Sequence, residues 1–229
     1  MGDTLGPTPG GGPSYAAPVS ATAPPGDATV VVVPVKAFTE AKVRLARVLD
    51  PATRAALARA MADHVVAAAA PLPVVVVCDD DEVAAWAMSV GAVVDRSDGL
   101  GLNESVGTCV RRLADAGIDR VLVVHADLPF ASDIQSLADA ADDEVLLVPD
   151  RRRDGTNAAS VPTGRGFTFR YGPGSFDAHR DEAARVALTV RVVDSEALGW
   201  DIDEPSDLDV PERLGTLPVV LPDQVDLAR

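Results

Sequence analysis

Cysteine, lysine and aromatic residues are all scarce in this chain of 229 residues. The two cysteines, Cys78 and Cys109, form no CxxC pattern, which excludes a disulfide framework and favours a reducing compartment. Aromatic residues make up only 4% of the chain, although 47% of it is hydrophobic. The core must therefore be built from Val, Leu, Ile and Ala, as in a buried parallel sheet covered by Ala-rich helices.

Long apolar runs and an excess of basic residues are also missing. No run reaches the roughly 18 apolar residues that would cross a bilayer, and the N-terminus lacks the basic and apolar segments of a signal peptide. The net charge of −15 argues against binding to nucleic acid or to anionic membranes. We therefore expect a cytoplasmic protein without a nucleic-acid or membrane partner. An anionic ligand would need a cleft in which basic residues and metal ions are concentrated.

Hydrophobic patterning predicts one α/β domain over residues 28–215. Residues 1–27 are rich in Gly, Pro, Ala and Thr, which predicts a disordered tail, and residues 216–229 are interpreted as a C-terminal tail. Strands are predicted at 29–35, 74–78, 91–94, 120–125, 145–149, 158–161 and 190–193. Helices are predicted at 51–70, 81–90, 104–116, 132–141 and 181–188, with a short one from residue 206. This alternation is typical of a three-layer, mostly parallel sheet that binds its ligand at the carboxyl ends of the strands.

The loop after the first strand concentrates basic residues. Only two of the 20 basic residues of the chain are lysines, and both Lys36 and Lys42 lie here, with Arg44 beside them. Lysine is a compact charge that suits phosphate oxygens, so this loop is a candidate for binding a polyphosphate. A solvated basic loop is the alternative. The chain contains neither GxxxxGK[ST] nor GxGxxG, which excludes a P-loop and a dinucleotide fingerprint.

Three aspartates are candidate metal ligands. Asp127 follows the fourth strand, between His125 and Pro129, where an Asx turn is the alternative interpretation. Asp201 and Asp203 are two residues apart in an extended segment, so both carboxylates should point to the same side. Two like charges so close together favour a bound cation, and hard oxygen ligands favour magnesium. The later Asp207 and Asp209 are interpreted as capping and solvated residues, and His125 as a packed residue at a strand end.

Several glycine-containing loops could hold anions. Gly101 and Asn103 lie in a stretch that opens a helix, where a base or phosphate could bind, although Asn103 could equally be a plain N-cap. The Gly-Thr step at Thr156 and the Gly-Pro-Gly-Ser loop from Gly172 to Ser175 offer amide and hydroxyl donors. Ordinary turns are the alternative for both, and residues 151–153 add three arginines that could form a solvated loop.

Five motifs in this order resemble those of a known family. They are PVKxxxxAKxRL, ADLP, PDR with GTNA, YGPGSFxxH and DIDEPxDL, and they run from about residue 30 to residue 208. The chain resembles the guanylyltransferases of coenzyme F(420) biosynthesis, which comprise the 2-phospho-L-lactate enzymes of archaea and the phosphoenolpyruvate enzymes of actinobacteria. The Lys-poor, Ala- and Arg-rich composition favours the actinobacterial substrate, phosphoenolpyruvate.

The resemblance implies a nucleotide-diphospho-sugar transferase fold and transfer of GMP from GTP to the phosphorylated acid, with release of pyrophosphate. Its implied site residues fall into three groups. The magnesium ligands would be Asp127, Asp201 and Asp203. The nucleotide would meet Lys36, Lys42 and Arg44 at its triphosphate and lie near Gly101 and Asn103. The acid would meet Thr156, Gly172 and Ser175. His125 and residues 152–154 depart from the family pattern and could alter the choice of acid.

Other functions stay open at this point. A molybdenum-cofactor or sugar-phosphate nucleotidylyltransferase usually has a Gly-rich first loop, and residues 31–48 contain no glycine. A noncatalytic nucleotide-binding module would not need the Asp201 and Asp203 pair, and a DxD glycosyltransferase usually carries its metal motif in mid-chain. Partners are expected to be GTP, the acid and the downstream transferase of the pathway, and the protein is expected to be a monomer or homodimer.

Overall fold

The computed structural model describes residues 29–218, which form a seven-stranded sheet with helices on both faces. The N-terminal tail predicted at 1–27 lies outside the described residues, as does the predicted C-terminal tail beyond residue 218. The strands are β1 Thr29–Pro34, β2 Val74–Cys78, β3 Val93–Arg96, β4 Arg120–Val124, β5 Glu144–Pro149, β6 Thr156–Pro162 and β7 Thr189–Val192. The helices are α1 Pro51–Ala68, α2 Asp81–Ser89, α3 Leu102–Asp115, α4 Ser175–Arg185 and α5 Glu196–Gly199.

The strand order across the sheet is β3-β2-β1-β4-β6-β5-β7. Every neighbouring pair is parallel except the two that involve β6, which runs against both β4 and β5. The predicted mostly parallel, three-layer α/β fold is therefore confirmed. Because β6 is reversed, its first residues lie at the same edge as the carboxyl ends of β1 and β4, with Val124 opposite Ala158. The ends of β1 and β4 and the start of β6, which are far apart in the sequence, thus lie at one edge of the sheet.

Alternate residues of the central strands pack on opposite faces, as the period of two requires. Val31 and Val33 belong to a core shared with α1 and α2, whereas Val30 and Val32 face α3 and α4. Cys78 and Cys109 are both buried free thiols, one in each core. Among residues 29–218, no helix has the length and apolarity needed to cross a membrane.

A third apolar cluster joins elements that are distant in sequence. It contains Leu45 and Leu49 from the loop after β1, Leu57 and Met61 from α1, and Ile202 and Leu208 from the C-terminal segment. This cluster holds the basic loop and the acidic C-terminal segment on the same helix. It therefore fixes the distance between the two charged segments that the sequence analysis singled out.

Local chemistry sets where the helices begin and end. Asp50 caps α1 as predicted, since its carboxylate accepts hydrogen bonds from the amides of Ala52 and Thr53 at 2.9 and 3.0 Å, and Pro51 occupies the first helical position. The prediction of an α-helix at 132–141 was wrong. The segment is a 3-10 turn at Ile134–Ala138, preceded by Asp133 at φ 54°, which cannot continue a regular helix.

Other element limits also differ from the prediction. Helix α4 begins at Ser175 rather than at 181, because Gly174 adopts φ 71° at its N-cap and the buried Phe176 and His179 anchor its first turns. The short helix predicted from residue 206 is a single 3-10 turn at Pro205–Leu208. The loop after β1 contains two 3-10 turns, Phe38–Glu40 and Val43–Arg47. In each case tertiary packing overrode the local pattern.

We expect Leu57→Ala to lower the free energy of unfolding by about 2–5 kcal/mol, because Leu57 is fully buried in the third cluster and its truncation leaves a cavity. Urea unfolding followed by circular dichroism measures this change. Arg59→Ala is the matched control, since Arg59 is exposed on the same helix. Equal losses in the two variants would contradict the role given to this cluster.

Candidate functional site

A cavity of about 760 Å³ opens at the carboxyl edge of the sheet. Its wall is formed by the loops after β1, β2 and β4 and by three later segments, near residues 150–157, 171–175 and 201–204. The lining includes nine of the eleven candidate site residues from the sequence: Lys36, Lys42, Arg44, Asp127, Thr156, Gly172, Ser175, Asp201 and Asp203. The edge of the sheet expected to bind a ligand therefore carries the cavity.

Lys42 lies between two of the candidate metal ligands. Its Nζ donates to Asp127 Oδ2 at 2.7 Å and to Asp203 Oδ1 at 2.9 Å, and its side chain is only 9% exposed. Burial opposes the charged ammonium, but the two carboxylates outweigh it and raise the pKa of Lys42. Lys42 itself adopts φ 55°, in the left-handed region. The loop after β1 thus delivers one fully charged ammonium to two acidic segments.

The acidic segment has the alternation that the sequence predicted. Asp201 and Asp203 both line the cavity, while Ile202 between them is buried in the third cluster. The Ile202 amide donates to the backbone oxygen of Asp127 at 3.2 Å, which ties this segment to the end of β4. Burial, followed by the charges of Asp127 and Asp203, raises the pKa of Asp201 to about 6.

The carboxylates carry more negative charge than Lys42 neutralises. Asp127 Oδ1 and Asp201 Oδ1 are buried and have no hydrogen-bond partner among the described residues. Unpartnered buried oxygens of this kind are costly unless a cation or water meets them. In the described part of the chain, however, no three or more acidic, His or Cys side chains are already close enough to form a metal site. Lys42 instead occupies the space between Asp127 and Asp203, so a metal ion would compete with it for these oxygens.

Asp207 holds the backbone of the acidic segment in place through hydrogen bonds. It is fully buried, and its carboxylate accepts the amides of Asp203 and Glu204 at 2.7 and 2.8 Å. The same group pairs with Arg151 and with Arg152, the latter at 2.7 Å. Burial opposes its ionisation, yet the hydrogen bonds from Arg151 and the amides lower the pKa of Asp207. The prediction that Asp207 is a capping residue is confirmed, since it accepts two backbone amides. The prediction that it is solvated was wrong, because its side chain is buried and paired with two arginines.

Thr156, Gly172 and Ser175 also line the cavity. Gly172 adopts φ 134°, which favours glycine, and Ser175 is the first residue of α4. Asp154 connects the two loops, since its carboxylate accepts the Gly174 amide at 3.1 Å and its backbone oxygen accepts the Phe176 amide at 3.0 Å. Two hydroxyl-bearing residues and the start of a helix thus belong to the cavity lining, a composition suited to an anion.

His179 contacts Thr156 but does not itself line the cavity. Its Nδ1 is 3.0 Å from Thr156 Oγ1, and its Nε2 accepts the Arg170 amide at 2.9 Å. Burial is the main reason that the pKa of His179 falls to about 4. The sequence analysis did not select this residue as part of the site. The available signal was its place at the end of the YGPGSFxxH motif.

Two candidate nucleotide residues are not brought into the cavity. Gly101 is the N-cap of α3, which begins at Leu102 rather than at the predicted Glu104. The Asn103 side chain accepts the Tyr171 amide at 2.6 Å and donates to the Tyr171 carbonyl at 3.1 Å. Its amide group is therefore occupied by the backbone. Leu100, Leu102 and Ser105 from the same stretch line the cavity instead.

The remaining basic and aromatic groups lie around the acidic centre. Lys36 and the exposed Arg44 line the cavity, and Arg44 approaches Asp203 Oδ2 at 3.7 Å. His125 packs against Tyr171, with ring centroids 4.7 Å apart. Burial lowers the pKa of His125, and its buried Nε2 has no hydrogen-bond partner among the described residues. His125 is therefore a packed residue, as expected, but it also forms part of the cavity wall.

Comparison with known proteins places this geometry in a family. The model of the family described as guanylyl transferase CofC like matches residues 29–210. A phosphoenolpyruvate guanylyltransferase of Rubrobacter xylanophilus is 38% identical over 184 residues, covering 77% of this chain and 90% of the relative. A 2-phospho-L-lactate guanylyltransferase of Haloterrigena turkmenica is 40% identical over 195 residues, covering 78% of this chain and 81% of the relative.

Solved structures show the same fold. A Desulfovibrio desulfuricans G20 protein assigned as a candidate nucleotide-diphospho-sugar transferase superposes with a TM-score of 0.65 at 18% identity, covering 80% of this chain and 85% of that one. At this identity the likeness concerns the fold alone. The expected nucleotide-diphospho-sugar transferase fold is confirmed.

We expect Asp207→Ala to lower the free energy of unfolding by about 3 kcal/mol, because it leaves two arginines and two backbone amides without their shared acceptor. Chemical denaturation measures the loss. Asp209→Ala removes an exposed carboxylate from the same segment and should change the stability little. If Asp209→Ala lowers the stability as much as Asp207→Ala does, or more, then Asp207 does not organise the segment.

Proposed function

The chain belongs to the CofC-like guanylyltransferases, and we propose that it transfers GMP from GTP to phosphoenolpyruvate, or to 2-phospho-L-lactate, with release of pyrophosphate. Membership of the family, together with relatives that are guanylyltransferases at 38% and 40% identity, makes the protein a nucleotidyltransferase. The family also links the reaction to coenzyme F(420) biosynthesis. The choice of acid is the finer part of the proposal, since relatives named for either acid match the chain almost equally.

One observation carries the proposal: a single cavity joins an acidic and basic centre to a second group of anion donors. Asp127, Asp201, Asp203 and Lys42 form the centre, and Thr156 and Ser175 line the same cavity. A volume of about 760 Å³ is within the range of pockets that hold a nucleotide-sized ligand. This arrangement suits a reaction in which two phosphate-bearing substrates must be brought together.

The proposed reaction is a direct displacement at phosphorus. A phosphate oxygen of the acid attacks the α-phosphorus of GTP and forms a new P–O bond, while the bond from the α-phosphorus to the bridging oxygen breaks. Pyrophosphate leaves with the bonding electron pair. A phosphate monoester is already mostly dianionic at pH 7, because its second pKa is about 6, so the attacking oxygen needs no general base.

The main obstacle to this displacement is the repulsion between two anions. Lys36 and Lys42 supply fixed positive charge beside the ligand space, and the donors at Thr156 and Ser175 orient the acid. Positioning and charge neutralisation of this kind are the main sources of rate in phosphoryl and nucleotidyl transfer. We propose that the protein's own contribution to the rate comes from these groups.

Magnesium is part of the proposal. The donor set fits a hard divalent cation, because Asp127 Oδ1 and Asp201 Oδ1 are buried without partners among the described residues and carboxylate oxygens are hard ligands. Bound at Asp127, Asp201 and Asp203, magnesium would neutralise phosphate charge during the transfer. Lys42 shares two of these carboxylates, so its ammonium holds them together when no metal is bound.

The reaction can be tested by pyrophosphate release. GTP and Mg²⁺ are offered with phosphoenolpyruvate, 2-phospho-L-lactate or 3-phosphoglycerate separately, in the presence of the downstream transferase and its acceptor, which consume the product. We expect release with phosphoenolpyruvate and little with 3-phosphoglycerate. Release only with 2-phospho-L-lactate would reassign the acid, and no release with any acid would contradict the proposed reaction.

The carboxylate centre can be tested by Asp127→Asn, which keeps the shape of the side chain but removes its charge. We expect kcat/KM to fall by about 100-fold or more, because the variant weakens both the proposed magnesium site and the contact with Lys42. EDTA should abolish activity in the wild type and Mg²⁺ should restore it. Asp133→Asn is the control, since Asp133 is exposed in the next turn and Asn tolerates its left-handed conformation. Near-normal activity of Asp127→Asn would remove Asp127 from the site.

A further inference from the structure

We infer that His179 is a positioning residue that fixes the hydroxyl of Thr156 as a hydrogen-bond donor to the phosphorylated acid. The inference rests on the proposed function, because the acid is the ligand that this hydroxyl would meet. His179 does not line the cavity, whereas Thr156 does. His179 can therefore act on the acid only through its neighbours, and Thr156 is the cavity-lining residue whose side chain it hydrogen-bonds.

The backbone fixes the tautomer of His179. The Arg170 amide is 2.9 Å from Nε2, and an amide N–H can only donate, so Nε2 must accept and carry no proton. The neutral imidazole then carries its proton on Nδ1. Burial supports the neutral form, since it lowers the pKa of His179 to about 4. The Arg170 amide, which is part of the backbone and can only donate, thus selects one of the two neutral tautomers of His179.

The tautomer in turn fixes the hydroxyl of Thr156. Nδ1–H donates to Thr156 Oγ1 across 3.0 Å, so the oxygen acts as acceptor on that side. The hydroxyl hydrogen must point elsewhere, and the described residues offer it no other acceptor within hydrogen-bonding distance. Because Thr156 lines the cavity, an anionic ligand bound there is the acceptor that this hydrogen can meet. An anionic oxygen there would receive a donor whose orientation is set before the ligand arrives.

The packing keeps this arrangement rigid. The imidazole of His179 is fully buried and lies against three aromatic rings, with centroid distances of 5.8 Å to Phe167, 6.2 Å to Phe169 and 4.9 Å to Tyr171. Rotating the ring to exchange its nitrogens would break both hydrogen bonds inside an apolar enclosure. The same helix, α4, carries Ser175 at its first residue. One helix therefore places Ser175 directly and orients Thr156 through His179.

The alternative is that His179 only fills the space between the aromatic rings and the sheet. In that case its hydrogen-bonding pattern would have no influence on the acid. Asn and Gln separate the two roles, because the Asn amide nitrogen can approximate Nδ1, whereas the Gln amide approximates Nε2. Both substitutions disturb the aromatic packing, but only His179→Asn can still donate to Thr156.

The tautomer can be measured without any substrate. The chain has three histidines, His64, His125 and His179, and long-range ¹H–¹⁵N spectra of ¹⁵N-labelled protein distinguish the protonated from the unprotonated ring nitrogen. His179→Gln assigns the signal of His179. We expect a neutral ring with the proton on Nδ1. A proton on Nε2, or a doubly protonated ring at pH 7, would overturn the inference whatever the enzyme's activity.

The kinetic test compares KM for the acid with KM for GTP in purified full-length variants. Thr156→Val, which removes the hydroxyl, and His179→Gln should each raise KM for the acid by about tenfold or more while KM for GTP changes little, as expected for a lost bond to a charged group. Thr156→Ser and His179→Asn should recover most of this loss. In the Thr156→Val background, His179→Gln should have little further effect. His64→Gln, on α1, is the control.

The outcomes separate the inference from the function on which it rests. If wild-type protein releases no pyrophosphate with either acid, the proposed function fails. If the wild type is active but His179→Asn and His179→Gln impair it equally, or if His179→Gln raises KM in the Thr156→Val background as much as alone, the inference fails and the function stands. Thermal melting of each variant identifies any that do not fold, and the tautomer measurement on wild-type protein decides the inference in that event.

Discussion

The contact of Lys42 with Asp127 and Asp203 is the interaction on which the site depends. Three carboxylates line one cavity at the edge of the sheet, and neighbouring like charges repel unless a cation lies among them. The Lys42 ammonium reaches two of them at 2.7 and 2.9 Å from a separate loop. Even so, Asp201 keeps a raised pKa, about 6, and two carboxylate oxygens find no partner within residues 29–218. Among the described residues the site thus has a deficit of positive charge, which a bound cation would offset.

The fold holds these charges together through apolar contacts rather than through the charges themselves. The third cluster packs the loop after β1 and the C-terminal segment on α1, and the register of β1 with β4 sets the end of the latter strand beside that loop. Asp207 completes the arrangement, since it fixes the backbone of the acidic segment from its buried side. Because stable packing offsets the repulsion between like charges, the carboxylates of the site can stay electrostatically unsatisfied, as is common at functional sites.

The two sides of the cavity use different chemistry for the same kind of ligand. One part of the lining carries the charged groups around Lys42, whereas the part around Thr156, Ser175 and the start of α4 carries hydroxyl and amide groups. The reversal of β6 is what allows Thr156, at the beginning of that strand, to face the same edge as the ends of β1 and β4. The fold is shared with a protein described as a candidate nucleotide-diphospho-sugar transferase, although the two chains are only 18% identical. Specificity for a small phosphorylated acid must therefore lie in the loops that this edge displays.

The sequence by itself determined the strands, most of the helices, the Asp50 cap and the sheet edge that carries the site, because hydrophobic period and capping chemistry are local. It also indicated that Asp201 and Asp203 face one way, since an extended segment alternates. Only the tertiary structure decided that the Lys42 ammonium bridges Asp127 and Asp203. It alone showed that Asp207 is buried and paired with two arginines. The hydrogen bonds of Asn103 with the Tyr171 backbone and of His179 with Thr156 were likewise visible only there. Each of these depends on contacts between residues far apart in the chain. No local pattern records which distant partner a side chain will meet, because packing of the whole domain settles that choice.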